Sequence, residues 1–265
     1  MLFLGGPRLL LKGLATPAQS LTRSRAETSV FASAHPAPRN AIALIFDLEG
    51  FSGFFNQPDV HDYLPVFLNR IFGAVDICIS GGLKYWEREP VEISPLLVQL
   101  VHMKFMGDGG LYVFLPHQNE SAFRADTIRA LLNRIWNLKS SFDVVLEKCA
   151  DEIPVMDLPQ RIRFGVTRGS VLELHREDGG PSEYVGFCIN LASRLQRYCP
   201  DLGFLGSARL GLPDQDLRKH DYMKVIATKI KGFAKEIVIV DKEEFEALPR
   251  AIAENLFERL PTADD

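Results

Sequence analysis

The sequence predicts an α+β fold, with helices laid on a mostly antiparallel sheet. Three observations carry this. Ala41–Leu48 is an apolar run rich in Ile and Leu, the pattern of a buried strand. Val98–Phe105 and Leu111–Leu115 are two strand-like runs joined by Gly107-Asp108-Gly109-Gly110, a hairpin turn signal. The helical stretches do not alternate regularly with strands, which disfavours a parallel βαβ sheet.

The elements follow in order. After the first strand, Gly50-Phe51-Ser52 makes a tight passage into helix. Val60–Ile79 places Leu64, Phe67, Leu68, Ile71, Phe72 and Val75 at helical spacing, and Gly81-Gly82 stops it. Behind the hairpin, Glu120–Glu147 reads as one long helix. Gln160–Val166 and Ser170–Leu174 read as a strand pair around Gly169. Cys188–Tyr198 is a helix with Asn190, Arg194 and Arg197 on its polar sides. Met223–Thr228 and Glu236–Val240 are late strands with Lys231-Gly232 in the turn, and the chain from Lys242 is helical and then polar. No internal repeat is visible.

Composition narrows the function. Of 265 residues 46% are hydrophobic, enough for a substantial core, and the formal net charge is −4. No dense basic stripe is present, which argues against general nucleic-acid binding. A triphosphate ligand needs only a few placed cations. The cysteines Cys78, Cys149, Cys188 and Cys199 form no CxxC pair and no zinc spacing, so they read as free thiols. No apolar run is expected to cross a membrane, and a cytoplasmic location is expected. Residues 1–38 carry Arg8, Lys12, Arg23 and Arg25 against the single acid Glu27, with many Ser, Ala, Pro and Gly. That composition resembles a transit peptide, and a flexible extension is the favoured reading. The domain is then expected over 39–245, with a helix and tail over 246–265.

Asp47 ends a buried strand beside a turn, and Asp108 sits in the glycine-rich hairpin turn. In a ferredoxin-like βαββαβ sheet, the first strand and the following hairpin lie side by side, so the two carboxylates meet at one edge. Such a pair suits Mg²⁺ or Mn²⁺ and leaves positions open for substrate phosphates. The Gly50-Phe51-Ser52 turn opens a helix, whose first N–H groups can hold phosphate oxygens.

Phe46-Asp47-Leu48-Glu49-Gly50-Phe51-Ser52 resembles the first metal motif of the class III adenylyl and guanylyl cyclases. Lys104-Phe105-Met106-Gly107-Asp108 resembles their second. Arg163-Phe164-Gly165-Val166 with Gly169 is similar to the strand before their middle hairpin. Gly186–Arg194 is similar to their G-x-x-V-N-x-A-x-R helix, and Lys231-Gly232 to a late phosphate-contacting turn. The five motifs appear in the family's order over residues 40–241.

The resemblance implies a class III cyclase catalytic domain: a ferredoxin-like core with extra strands, which converts a nucleoside triphosphate to a 3′,5′-cyclic nucleotide and pyrophosphate. It implies two divalent metal ions per site, held by Asp47, Asp108 and the Leu48 carbonyl. Asn190 would orient the ribose and Arg194 would stabilise charge on the α-phosphoryl oxygens. Arg163 and Lys231 would grip the outer phosphates. Phe46, Gly50, Phe51 and Ser52 belong to the substrate pocket, with Lys104 and Glu183 at the base. It further implies a homodimer with two sites, each built from the metal half of one protomer and the Asn/Arg half of the other.

Three departures from the family pattern stand out. The base positions are Lys104 and Glu183, neither the adenylyl nor the guanylyl pairing, and these two could also bond each other. Asp47 and Asp108 lie 61 positions apart, with extra chain around Leu83–Val98 that includes Lys84-Tyr85-Trp86-Glu87-Arg88-Glu89. This insertion is expected to form a strand or flap near the site, or to pack Trp86 on the dimer partner. Thr167-Arg168 stands where the family often has a histidine. The long spacer and divergent base pocket resemble the pyrimidine cyclases of bacterial anti-phage signalling, which make cyclic UMP or cyclic CMP to activate a separate effector protein. UTP, then CTP, is the expected substrate. The alternatives are an adenylyl cyclase and an inactive cyclase-like module that binds nucleotide or only dimerises.

Overall fold

The computed structural model describes residues 30–32, 36–118, 120–154 and 157–260. Most of the expected N-terminal extension, residues 1–29 and 33–35, therefore lies outside the described residues. Of the part that is described, the Ala32 N–H donates to the His175 carbonyl at 2.9 Å and Phe31 bridges to Arg176.

Strand β1 (Arg39–Glu49) is the centre of the domain, buried from Ala41 to Leu48. It leads through Gly50 into α1 (Phe51–Phe55) and α2 (Val60–Ser80). A small hairpin follows, β2 (Gly82–Lys84) with β3 (Val91–Ile93), then the long hairpin β4 (Val98–Phe105) and β5 (Gly109–Pro116). Helices α3 (Ala125–Ser140) and α4 (Phe142–Ala150) precede β6 (Arg161–Leu174). Next come β7 (Glu183–Gly186), α5 (Phe187–Gln196), β8 (Phe204–Ser207) and α6 (Asp214–Arg218). The chain closes with β9 (Tyr222–Ala227), β10 (Glu236–Asp241), α7 (Lys242–Glu246), α8 (Arg250–Leu256) and β11 (Phe257–Arg259).

The sheet runs β11-β9-β10-β8-β6-β1-β5-β4, with β7 also paired to β6. The segment β6-β1-β5-β4 is the ferredoxin-like core that the strand pattern predicted. All its pairings are antiparallel; β6 with β8 is the parallel pair. Alternation along β1 sends Ile42, Leu44, Phe46 and Leu48 to one face, under α2, α3 and α4. Ala41, Ala43 and Ile45 go to the other face, where α5 lies. On α2, Phe67, Ile71, Val75 and Cys78 are fully buried, and burying each such large side chain contributes about 1.5–3 kcal/mol. By length and composition this helix passes as a membrane span, a weak signal that a core helix also gives. Here its apolar face covers the sheet.

Two element boundaries differ from expectation. The helix expected over 120–147 starts at Ala125 and breaks at Ser141, which ends α3 and begins α4. The Ser141 N–H donates to Asn137, and its carbonyl accepts from Val144 and Val145. The expected strand pair around Gly169 is one continuous strand. Gly169 serves close packing instead of a turn: a Cβ there would lie 2.9 Å from the Phe187 ring.

The 83–98 insertion is also corrected. Trp86 is 1% exposed and belongs to the main core of its own chain, so it packs on no partner. Its indole N–H donates to Asn137 of α3 at 3.2 Å, and Lys84 donates to the same oxygen at 3.1 Å. The hairpin enters β4 at the end far from Asp108. Eight residues of strand, about 26 Å, separate the two, so the segment is no flap over the carboxylates.

Candidate active site

Asp47 is the last buried residue of β1 on the α5 face, 6% exposed, between Gly109 of β5 and Arg163 of β6. Glycine is needed at 109 because a Cβ would lie 2.0 Å from the Phe46 carbonyl oxygen. That close approach brings the hairpin turn onto β1: the Leu48 N–H donates to the Asp108 carbonyl at 2.9 Å. The two carboxylates predicted from sequence are therefore neighbours. Burial first, and then the adjacent Asp47 carboxylate, push the Asp108 carboxyl above its ordinary range.

The Asp47 Oδ2 accepts from Arg163 Nη2 at 2.6 Å and from Gln196 Nε2 at 3.1 Å. Arg163 was expected to hold phosphates; here it pairs with the carboxylate beside it on the sheet. Its Nε is buried with no partner among the described residues.

Leu48 points its side chain into the core, leaving only its backbone to the site. Phe46 is corrected. It lies on the opposite face from Asp47, 1% exposed and packed against Phe72, Tyr112 and Phe164, so its ring reaches no substrate. Gly50 has φ 87°, a left-handed conformation that turns the chain into α1. Phe51 and Ser52 line a cleft of about 480 Å³ with Phe55, Leu64, Leu68 and Phe105, beside Gly107 of the β4–β5 turn.

The second group of predicted residues sits elsewhere. Asn190 and Arg194 are exposed and one helical turn apart on α5. Arg194 and Gln196 are two positions apart, about 200° around the helix, so Arg194 points away from Asp47. Lys231 is exposed in the turn between β9 and β10, close to the start of α5, where the Phe187 and Phe233 rings lie 5.5 Å apart. The start of α5 covers Gly169 and its end covers Gly165. Gly169 is six residues of strand, about 20 Å, from Arg163 and Asp47. Lys104 and Glu183 form an ion pair at 3.2 Å, the mutual contact that the sequence left open. Within one chain, Asn190, Arg194 and Lys231 are thus not brought to the Asp47–Asp108 pair.

Sequence reasoning missed Gln196. The available signal was a polar residue on the apolar stripe of α5, in line with Cys188, Ala192 and Leu195. Arg197, next to it, donates to Gln196 Oε1 at 3.3 Å, and its charge acts on Asp108.

The donor set fits a hard divalent cation. It offers two carboxylates and a backbone carbonyl, all oxygen. Among the described residues no cluster of three or more His, Cys, Asp or Glu side chains is placed to hold a metal. Substrate oxygens and water would complete the coordination.

No protein-family model matches the chain, and no curated protein matches it. Among solved structures it is similar to the adenylyl cyclase CyaB from P. aeruginosa, with TM-score 0.54 and 16% identity over 78% of this chain and 96% of that one. It is similar to the guanylyl cyclase Cya2, with TM-score 0.52 and 18% identity over 78% of this chain and 93% of that one. A bacterial light-regulated adenylyl cyclase aligns at TM-score 0.51 and 16% identity over 79% of this chain and 54% of that one, so the chain spans about half its length. With the sheet order and the two helical layers, these likenesses identify the fold as that of class III adenylyl and guanylyl cyclase catalytic domains.

Proposed function

We propose that the chain is a nucleotidyl cyclase, converting a nucleoside triphosphate to a 3′,5′-cyclic nucleotide and pyrophosphate. The observation that carries this reading is the adjoining Asp47–Asp108 pair, the first buried and the second half-buried, in a chain whose α5 presents Asn190 and Arg194 outward. In the reaction the ribose 3′ oxygen loses its proton to solvent and bonds to the α-phosphorus. The bond from that phosphorus to its bridging oxygen breaks, and pyrophosphate leaves. Two divalent cations, Mn²⁺ or Mg²⁺, supply Lewis acidity and charge neutralisation for this displacement when bound.

Asp47 and Asp108 hold the cations through carboxylate oxygens, with the Leu48 carbonyl. Arg163 turns its guanidinium to the outer phosphates, which would also satisfy its orphaned Nε. Asn190 orients the ribose, Arg194 meets the charge on the α-phosphoryl oxygens, and Lys231 holds outer phosphates. Because the two half-sites lie apart in one chain, a two-fold homodimer completes each site across the interface.

The finer reading concerns the base and the role. Lys104 can donate to a carbonyl and Glu183 can accept from a ring N–H, which suits uracil once their ion pair opens. We therefore place UTP first and CTP second, with the product acting in the cytoplasm on a separate effector in anti-phage signalling. The exchanged pattern suits adenine, so cyclic AMP is the second reading. Incubation with Mn²⁺ or Mg²⁺ and each of ATP, GTP, CTP and UTP, with products identified by mass spectrometry, tests this. Cyclic UMP is the expected product. Cyclic AMP alone would remove the pyrimidine assignment. No product from any nucleotide would favour the inactive module.

A further inference from the structure

We infer that Gln196 is a positioning residue that sets the Asp47 carboxylate for its cation, with Arg197 as the anchor of the Gln196 amide. The inference rests on the metal-site reading above.

Gln196 is 2% exposed, at the last turn of α5. A buried amide is costly unless both its ends are hydrogen-bonded. Here both are. Nε2 donates to Asp47 Oδ2 at 3.1 Å, and Oε1 accepts from Arg197 Nε at 3.3 Å. The partners fix the orientation of the amide, because a carboxylate can only accept and a guanidinium can only donate. The backbone holds it there as well. A Cβ on Gly165 would lie 2.6 Å from the Gln196 nitrogen and 2.9 Å from its Cβ, so the helix sits on the strand at the closest approach that glycine allows.

The consequence falls on Asp47. Its Oδ2 is engaged by Gln196 and Arg163 together, which fixes the carboxylate rotamer and leaves Oδ1, on the carboxylate adjoining Asp108, with no donor among the described residues. When a cation binds and Arg163 turns to phosphate, Gln196 is the contact that remains. Groups that orient a metal ligand in this way commonly change metal affinity about 10- to 100-fold when removed.

The test uses the full chain without nucleotide. Free Mn²⁺ is read by electron paramagnetic resonance as protein is titrated in. Gln196→Met keeps side-chain length and removes both hydrogen bonds. It is expected to weaken Mn²⁺ binding about 10- to 100-fold while circular dichroism stays that of the parent. In turnover assays the Mn²⁺ requirement should rise in step, with kcat recovered at saturating Mn²⁺. Arg197→Lys keeps the positive charge near Asp108 and replaces the Nε donor that anchors Gln196 by a methylene. It is expected to weaken binding by a smaller factor, about 3- to 10-fold, and it decides the matter if Gln196→Met fails to fold. Mn²⁺ affinity within about twofold of the parent in a folded Gln196→Met protein would overturn the inference, as would unchanged affinity in Arg197→Lys. Asp47→Ala separates the two levels. If it binds Mn²⁺ like the parent, the metal-site reading falls and takes this inference with it. If Asp47→Ala loses Mn²⁺ while Gln196→Met keeps it, only the role of Gln196 falls.

Discussion

Replacing Gly165 by alanine should damage both stability and activity. The added Cβ would lie 2.2 Å from the Ala192 carbonyl oxygen and 2.6 Å from the Gln196 nitrogen. Both are backbone atoms of α5, so no side chain can swing aside. Ordinary Cβ contacts begin near 3.4 Å, so helix and strand must separate by roughly 1 Å. Overpacking of this kind costs about 1–3 kcal/mol. In a domain of this size each kcal/mol lowers Tm by about 2–4 °C. The shift also moves Asn190, Arg194 and Gln196, and a misplacement near 1 Å can cost about 100-fold in turnover. Thermal unfolding and cyclase rate measured on the same preparation check both parts. Gly73→Ala is the control: no atom lies within 4 Å of that Cβ on α2, and it should gain about 0.5–1 kcal/mol. A Gly165→Ala protein with parental Tm and parental rate would refute the claim that α5 is set by its closest approach to β6.

Asp47→Ala and Asp108→Ala should each abolish turnover with near-parental circular dichroism; a parental rate from either would remove the two-carboxylate mechanism. Trp86→Ala should cost about 3–5 kcal/mol in denaturant unfolding, by an amount independent of protein concentration; a loss that grows on dilution would put Trp86 back at a dimer contact. Burial raises the Asp76 carboxyl above its ordinary 3.8, partly offset by the Tyr112 hydroxyl that donates to it. Its contribution to stability is therefore complete below that value and lost as pH rises through the folded one. Asp76→Asn should gain on the parent as pH rises above that ordinary value, and an advantage that shrinks on that rise would contradict the assignment. Burial pushes the Cys78 thiol up to about 12, so a maleimide should leave it unmodified in native protein and label it after unfolding.

Most of the fold was legible because its signals are local. The apolar run of β1, the Gly-Asp-Gly-Gly turn and the periodicity of α2 each report on a few adjacent residues. What was hidden depends on partners distant in sequence. Gly169 looked like a turn because a glycine in a strand usually marks irregularity; its purpose is to admit Phe187 and Cys188 from α5. Ser141 breaks a run whose apolar spacing continues across it. Trp86 sits in a charged segment, and only the Asn137 amide of α3 reveals that it faces inward.

The site divides in the same way. Asp47 and Asp108 were placed together from strand order alone. The period of two along a strand already required Phe46 to face away from Asp47, so its assignment to the pocket could have been rejected without a structure. The Arg163–Asp47 and Gln196–Asp47 contacts join residues 116 and 149 positions apart, and no spacing rule reaches that far.

The central claim is that each catalytic site is assembled from complementary halves of two chains. Asp47→Ala lacks the carboxylate half and Arg194→Ala the opposite half, so each should be inactive alone. Mixed in equal amounts and allowed to exchange subunits, they should form heterodimers with one intact site, giving about a quarter of parental activity by random pairing. A mixture as inactive as its components, with heterodimers present by native mass spectrometry, would contradict the shared site.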